Sequence, residues 1–176
     1  MGRTGESYLV AEDPISVESE FRSNMKTMGD GEYVLGYPIS TPYIQRALSG
    51  ESFSKMYLDS AGNPVLVSAD PIDVNGLDWA MVSKINAEEA FVPRVEGETE
   101  DFLTRYKKEY GYYDVFLFNK RGYCFYSVAK ESDYRTNLVD GKYSSSNLGR
   151  LVRKVLDARQ FGFADFEPYA PSGDKP

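Results

Sequence analysis

The most distinctive pattern of hydrophobic and polar positions lies between Tyr112 and Val128, where two runs of aromatic and β-branched residues flank a short polar turn. Residues of these types favour the pleated surface of a β-strand. The turn, Asn119-Lys120-Arg121-Gly122, has Asn at its first position and Gly at its fourth, and both tolerate tight turns. The pattern therefore predicts a β-hairpin. Because both faces of its first strand are apolar, we expect a helix on one face and a second layer on the other.

The first ninety residues predict two strands, a helix and three further strands. The helix begins at Thr41-Pro42, a capping residue followed by a proline that fits the first turn, and it ends at Gly50. A loop without clear periodicity is predicted at 23–36. The strands are predicted at 5–10, through Ile15, Val17 and Phe21, and at 56–58, 64–68 and 77–82. This order indicates an α+β module built on an antiparallel sheet.

The second half begins after a break at Pro93–Gly97, which predicts two modules at 1–93 and 94–176. A helix is predicted at 98–110, with acidic residues at its start and basic residues towards its end, as the helix dipole favours. Its apolar face is formed by Phe102, Leu103, Tyr106 and Tyr110. The hairpin, a polar loop at 130–145, a helix at 147–159 and a strand through Phe161, Phe163 and Phe166 follow. The second module is therefore predicted to be an incomplete copy of the first.

Composition and charge narrow the classes of function. The formal net charge of −7 disfavours nucleic acid or an anionic membrane surface as the main partner. Histidine is absent, which removes the commonest general base and metal ligand, and the single Cys124 excludes an internal disulfide and a cysteine-rich zinc site. No apolar run approaches the ~20 residues that cross a bilayer, and the N-terminus does not have the pattern of a signal peptide.

Several segments resemble double Cache domains, the extracytoplasmic sensor domains of chemoreceptors, sensor histidine kinases and diguanylate cyclases. The segments similar to the membrane-proximal half are Gly5–Val10, Asp70-Pro71, Gly76–Ala80 and Asn86–Phe91. The segments similar to the membrane-distal half are Tyr112–Leu117, Gly122–Val128, Lys130–Tyr134 and Phe163–Ser172. In the family the distal module precedes the proximal one, whereas here the proximal-like segments come first.

This resemblance implies a PAS-like fold, an antiparallel five-stranded sheet flanked by helices, and here a second, incomplete copy of it. It also implies a homodimer through the N-terminal helix of a module. The domain would lie in the periplasm as part of an inner-membrane receptor, attached only through membrane spans absent from this chain. No cofactor and no metal are expected.

The resemblance also implies a ligand site in the second module. Its candidate residues are Tyr126, Lys130, Asp133, Tyr134 and Asp165, with Arg135 nearby. A lysine or arginine binds an acid group, an aspartate binds an ammonium and tyrosine closes the wall, so the set suits a small carboxylate, amine or amino-acid-like molecule. The amino-acid motif of some double Cache domains, an Arg with a Trp-Tyr pair after the hairpin, is absent. In the alternative interpretation, Lys130–Tyr134 is a solvated loop held by local hydrogen bonds.

Two further sets of residues are candidates for a site. Tyr8, Arg22, Tyr57 and Ser68 are candidates for an equivalent cavity in the first module, although proximal modules often lack a ligand. Paired carboxylates, Asp114 with Asp165 or Glu131 with Asp133, suit acid–base catalysis in principle, but no nucleophile elbow or phosphate loop accompanies them.

The sequence therefore predicts a non-catalytic, extracytoplasmic domain that senses a small polar molecule for a transmembrane receptor. The alternative is a PAS-like interaction module that dimerises without a ligand of its own.

Overall fold

In the computed structural model, which describes residues 2–27 and 33–175, the chain divides into two units, Met1–Phe91 and Val92–Pro176. The sequence placed this division after residue 93. Each unit has a hydrophobic core of its own. Within the described residues, no helix is both long enough and apolar enough to cross a membrane.

The first unit is built on a five-stranded sheet in which every neighbouring pair of strands is antiparallel. The strands are β1 (Glu6–Glu12), β2 (Ser19–Phe21), β3 (Phe53–Leu58), β4 (Pro64–Pro71) and β5 (Trp79–Asn86). Their order across the sheet is β2-β1-β5-β4-β3. Two helices complete the unit, α1 (Pro42–Leu48) and α2 (Ala87–Phe91). The predicted α+β class with an antiparallel five-stranded sheet is confirmed here, whereas α2 was missed.

The core of this unit lies between one face of the sheet and α1. Thr41 caps the helix as predicted, since its side-chain oxygen accepts a hydrogen bond from the amide of Ile44 at 3.3 Å. The core side chains from the sheet and the helix include Tyr8, Val10, Val67, Ala80, Val82, Ile44 and Ala47. Because side chains alternate along a strand, the intervening residues lie on the opposite face.

The strand predicted through Ile15 and Val17 is wrong in its first half. Asp13 accepts hydrogen bonds from the amides of Ile15 (2.9 Å) and Ser16 (2.7 Å), which closes a tight turn, and Val17 has a left-handed φ of 58°. Ile15 and Val17 are consequently 92% and 72% exposed. The loop predicted at 23–36 contains no helix or strand at 23–27 and 33–36, and residues 28–32 lie outside the described residues.

The second unit contains the predicted hairpin. Its elements are α3 (Phe102–Tyr110), β6 (Phe116–Phe118), β7 (Cys124–Ser127), α4 (Asn147–Ala158) and a 3₁₀ helix (Ala170–Ser172). Strands β6 and β7 pair antiparallel, and Gly122 closes the turn between them with a φ of 80°. Helix α4 packs on the hairpin through a core that includes Cys124, Leu138 and Val152, so the predicted helix on one face is confirmed.

Two other predictions for this unit are wrong, the start of α3 and the strand through Phe161, Phe163 and Phe166. Helix α3 starts four residues later than predicted, because the side chain of Asp101 caps it by accepting from the Thr104 amide at 2.8 Å. It buries no residue, and Phe102 and Tyr110 on its apolar face are 61% and 63% exposed.

The strand predicted through Phe161, Phe163 and Phe166 does not form, and these side chains are exposed. An alternating pattern becomes a strand only where a neighbouring strand accepts its hydrogen bonds, and β6 and β7 pair only with each other in the described part of the chain. A second, incomplete copy of the sheet is therefore not supported.

Candidate functional site

The loop between β7 and α4 carries three of the five predicted ligand-binding residues, Lys130, Asp133 and Tyr134. It is tied to β7 by hydrogen bonds from the Arg135 amide to the Cys124 carbonyl (3.0 Å) and from the Cys124 amide to the Thr136 carbonyl (2.9 Å). Asp133 is fully buried, Tyr134 is half-buried and Lys130 is exposed. The alternative of a wholly solvated loop is therefore wrong for Asp133.

The carboxylate of Asp133 has one paired and one unpaired oxygen. Its Oδ2 accepts a hydrogen bond from the Tyr169 hydroxyl at 2.7 Å. Its Oδ1 is buried and has no hydrogen-bond partner among the described residues. Burial raises the pKa of Asp133, the hydrogen bond from Tyr169 opposes this, and the negative charges of Asp114 and Glu131 add to the increase. Asp133 is therefore a buried acidic group, and one of its oxygens lacks a hydrogen-bond donor.

Two neighbouring groups respond to the same surroundings. Burial, followed by the hydrogen bond to Asp133, raises the pKa of Tyr169 well above its ordinary value. Burial also raises the pKa of the Cys124 thiol to about 12, with a further increase from the charge of Asp133. Both groups are therefore neutral at physiological pH and keep their protons. Cys124 is a buried core residue in this site.

A second carboxylate of the loop, Glu131, also has an oxygen without a donor. Its Oε1 accepts from the Tyr113 hydroxyl at 2.5 Å, and its Oε2 is buried and unpaired among the described residues. The neighbouring Ser132 shares a hydrogen bond of 2.8 Å with the hydroxyl of Tyr143. Both unpaired atoms of this loop are therefore acceptors, and the group that would satisfy them is a hydrogen-bond donor such as an ammonium.

Lys130, Tyr134 and Arg135 form one cluster. The ammonium of Lys130 lies 5.2 Å from the centre of the Tyr134 ring, and the guanidinium of Arg135 lies 5.1 Å from it. Such cation–π contacts contribute about 0.5–1 kcal/mol at exposed sites. Lys130 and Arg135 both have left-handed backbones, with φ of 52° and 62°. These uncommon conformations bracket Asp133 and set the course of the loop around it.

The other two predicted residues lie elsewhere in this unit. The Tyr126 hydroxyl donates to Asp101 Oδ1 at 2.8 Å, which connects β7 to the N-terminal cap of α3. Burial acts to raise the pKa of Asp101, but hydrogen bonds from Thr104 and Tyr126 outweigh it and the net pKa is lowered. Asp165 is exposed, and its carboxylate accepts from the Phe166 amide at 2.9 Å. No hydrogen bond or ion pair among the described residues joins Asp165 to Asp133.

Two residues that shape this site, Tyr169 and Asp114, were not among the predicted ligand-binding residues, although the sequence analysis named Asp114 as a member of a carboxylate pair. Tyr169 lies within a segment that resembles the distal module, and that segment was the available signal. Asp114 Oδ1 accepts from the amides of Val128 (2.9 Å) and Ala129 (3.0 Å), and its Oδ2 accepts from the Ser127 hydroxyl (2.6 Å). Asp114 therefore fixes the point where the loop leaves β7.

Of the four candidates of the first unit, only Tyr8 and Tyr57 pack in the same core. Tyr8 is in the core, with its ring centre 5.3 Å from that of Phe21, whereas Ser68 alternates with core residues of β4 and lies on the other face of the sheet. Arg22 forms an ion pair of 2.5 Å with Glu20. The Tyr57 hydroxyl accepts from the Arg46 guanidinium at 2.8 Å.

The raised pKa of Asp133 makes a prediction for stability against pH. A folded-state pKa above the unfolded value means that the folded chain binds more protons between the two pKa values, so the free energy of unfolding falls as pH rises through that window. Below the unfolded pKa this penalty is absent. Asp133→Asn removes the group, so its stability relative to the wild type should increase as the pH rises above about 4, the ordinary pKa of an aspartate. Urea denaturation across this range measures the difference.

The control for this experiment is Asp140→Asn, which neutralises an exposed carboxylate of the same loop. If both variants change with pH by the same amount, the effect comes from net charge and not from the buried position of Asp133.

Comparison of the chain with protein-family models, with curated proteins and with solved structures gave no match.

Proposed function

We propose that this chain is a non-catalytic, extracytoplasmic domain that senses a small polar molecule for a transmembrane receptor of the chemotaxis or two-component type. The resemblance to double Cache domains motivates the class of protein. The five-stranded antiparallel sheet with its helices is compatible with the PAS-like fold that this class uses. The periplasmic location follows from the resemblance alone.

The observation that carries the proposal is the buried Asp133, whose Oδ1 has no donor among the described residues. An unpaired buried polar group costs about 1–3 kcal/mol, and more when it is charged. A ligand that brings a hydrogen-bond donor to this oxygen recovers that free energy on binding. Tyr169, already bonded to Oδ2, holds the carboxylate in a fixed orientation. The ligand class proposed is a small molecule with an amine, including amino-acid-like molecules whose carboxylate would be bound by Lys130.

The contacts of Tyr126 suggest how ligand binding would change the conformation of the rest of the unit. Tyr126 lies on β7, the strand from which the loop departs, and its hydroxyl holds the capping residue of α3. A displacement of β7 on ligand binding would move the N-terminal end of that helix. This is the small helix displacement that a receptor would pass to an output domain.

A second candidate function, dimerisation without a ligand, is favoured by the exposed aromatic face of α3. The ring centres of Phe102 and Tyr106 are 6.0 Å apart, and those of Tyr106 and Tyr110 are 4.6 Å apart. Tyr112 extends the row, with its ring centre 5.9 Å from that of Tyr106. Exposed aromatic surface of this kind is typical of an interface.

A thermal-unfolding screen against amines, amino acids and carboxylates tests the proposal. A ligand at 100 times its dissociation constant should stabilise the folded protein by ~2.7 kcal/mol. Asp133→Asn should abolish the shift and Asp140→Asn should retain it. Asp165→Ala tests the predicted residue that has no hydrogen bond or ion pair with Asp133. Loss of the thermal shift would mean that Asp165 belongs to the ligand site, and an unchanged shift would mean that it does not.

The contrary outcome is also informative. If no compound of these classes shifts the unfolding temperature and the protein dimerises in analytical ultracentrifugation, the dimerisation function replaces the sensing function. Tyr110→Ser should weaken that dimer, because it removes the most exposed ring of the α3 face.

A further inference from the structure

A second polar site of the same unit lies between the hairpin turn and the C-terminal half of α4. It is a cleft of about 90 Å³, which leaves room for several water molecules. Its lining residues are Lys120, Arg121, Val139, Arg153, Leu156 and Asp157. Three of the six are cations and one is an anion, in a chain whose net charge is −7. None of these residues belongs to the Asp133 cluster.

The cations of this cleft are not neutralised by the protein. Lys120 and Arg121 have no ion pair with any carboxylate of the described residues, and the guanidinium of Arg153 donates a hydrogen bond to the carbonyl of Val139. That bond uses one donor of five on the guanidinium, so the group keeps donors for a ligand. Asp157, the one anion of the lining, also has no ion-pair partner among the described residues.

The turn that presents two of these cations is fixed before any ligand arrives. The side-chain oxygen of Asn119 accepts from the amides of Arg121 (2.9 Å) and Tyr123 (3.1 Å). The side-chain amide of Asn137 donates to the Arg121 carbonyl at 2.8 Å. Val139 packs against the position where a side chain on Gly122 would stand, so the turn lies directly on the loop. A backbone held in this way reduces the entropy lost on binding.

We propose that this cleft binds a small oxyanion that also carries a hydrogen-bond donor. The cations bind the oxyanion by charge-assisted hydrogen bonds, and Asp157 accepts the donor of the same molecule. Val139 and Leu156 contribute the apolar part of the lining. Hydrogen phosphate and short hydroxy-carboxylates have this combination, whereas sulfate and acetate lack the donor. Because the charged side chains are exposed, salt screens them, and affinity is expected on the order of millimolar.

Titrations of the full chain with matched pairs of anions test this inference. Inorganic phosphate at a pH where its dianion, hydrogen phosphate, dominates is compared with sulfate, and glycolate is compared with acetate, all at constant ionic strength. Amide resonances of Arg121, Gly122 and Val139 report occupancy. Phosphate and glycolate should each bind several-fold more tightly than the partner without a donor. The two pairs also distinguish an inorganic from an organic ligand. Tighter binding of phosphate than of glycolate would indicate an inorganic ligand, and the reverse would indicate an organic one.

Variants then assign the contacts. Arg121→Gln and, separately, Arg153→Gln should weaken phosphate binding about tenfold, the effect of one charge-assisted contact. Lys154→Gln, which removes an exposed cation of α4 outside the lining, should leave it unchanged. Asp157→Asn should reduce the difference in affinity between phosphate and sulfate, because it removes the carboxylate that repels an anion without a donor. An unchanged circular dichroism spectrum excludes misfolding of each variant. Arg121→Gln, which lies on the turn, is the variant least expected to misfold.

Two outcomes would overturn the inference. Equal binding of all four anions, or equal weakening by Arg121→Gln and Lys154→Gln, would mean that the anions respond only to general surface charge. The result does not depend on the sensing proposal, because Asp133→Asn should leave phosphate binding at the cleft unaltered.

Discussion

Asp114→Ala is expected to destabilise the second unit by about 3–5 kcal/mol. The carboxylate of Asp114 accepts four hydrogen bonds, from the amides of Val115 (2.7 Å), Val128 and Ala129 and from the hydroxyl of Ser127. Alanine leaves all four donors without this acceptor at the point where the loop begins. Because the single Trp79 reports on the first unit, amide hydrogen exchange of residues 116–129 is the suitable measurement.

The matched control is Asp114→Asn, which keeps one side-chain oxygen for the backbone amides and supplies an NH₂ group that can donate to Ser127. It should cost about half as much as the alanine variant. If alanine and asparagine cost the same, or if both cost under about 1 kcal/mol, the network does not hold the exit of β7 and the loop is ordered by its other contacts.

The elements that the sequence predicted correctly are those whose signals are local. Helix α4 was predicted at 147–159 and spans Asn147–Ala158, because five apolar residues at helical spacing need only one surface to pack on. The hairpin was predicted from its turn residues, and Gly122 has the positive φ that this argument required. The helix at Thr41 followed from its cap. In each case neighbouring residues determine the conformation.

The features that were mispredicted depend on partners distant in sequence. The alternation of Phe161, Phe163 and Phe166 is a strand signal, yet the described residues supply no strand to pair with it. The burial of Asp133 follows from contacts with Tyr169, 36 residues later in the chain. Its immediate neighbours in the sequence are polar and predict solvent exposure. The resemblance identified Asp133 as a candidate, but only the tertiary structure shows that one of its oxygens lacks a donor.

Gly149→Ala is expected to destabilise the second unit by about 3 kcal/mol, although this substitution within a helix ordinarily stabilises a protein by ~1 kcal/mol. Gly149 lies in α4, and its backbone faces the carbonyl groups of the loop that leads into the helix. A side-chain carbon at this position would stand 2.5 Å from the Tyr143 oxygen, 2.8 Å from Leu138 and 2.9 Å from Ser144. All three obstacles are backbone atoms, which do not rotate away as a flexible side chain would.

The substitution should therefore separate α4 from the loop that carries Asp133, and its effect is measured by chemical denaturation followed by tyrosine fluorescence and by the ligand screen. Lys154→Ala, at an exposed position of the same helix, is the control and should change the free energy of unfolding by less than about 0.5 kcal/mol. If Gly149→Ala instead increases the free energy of unfolding, the loop moves away from the new side chain without a loss of stability. In that case the close packing of α4 on the loop does not position Tyr143 and Ser132, and the arrangement around Asp133 rests on the other contacts of the loop, including the hydrogen bond with Tyr169.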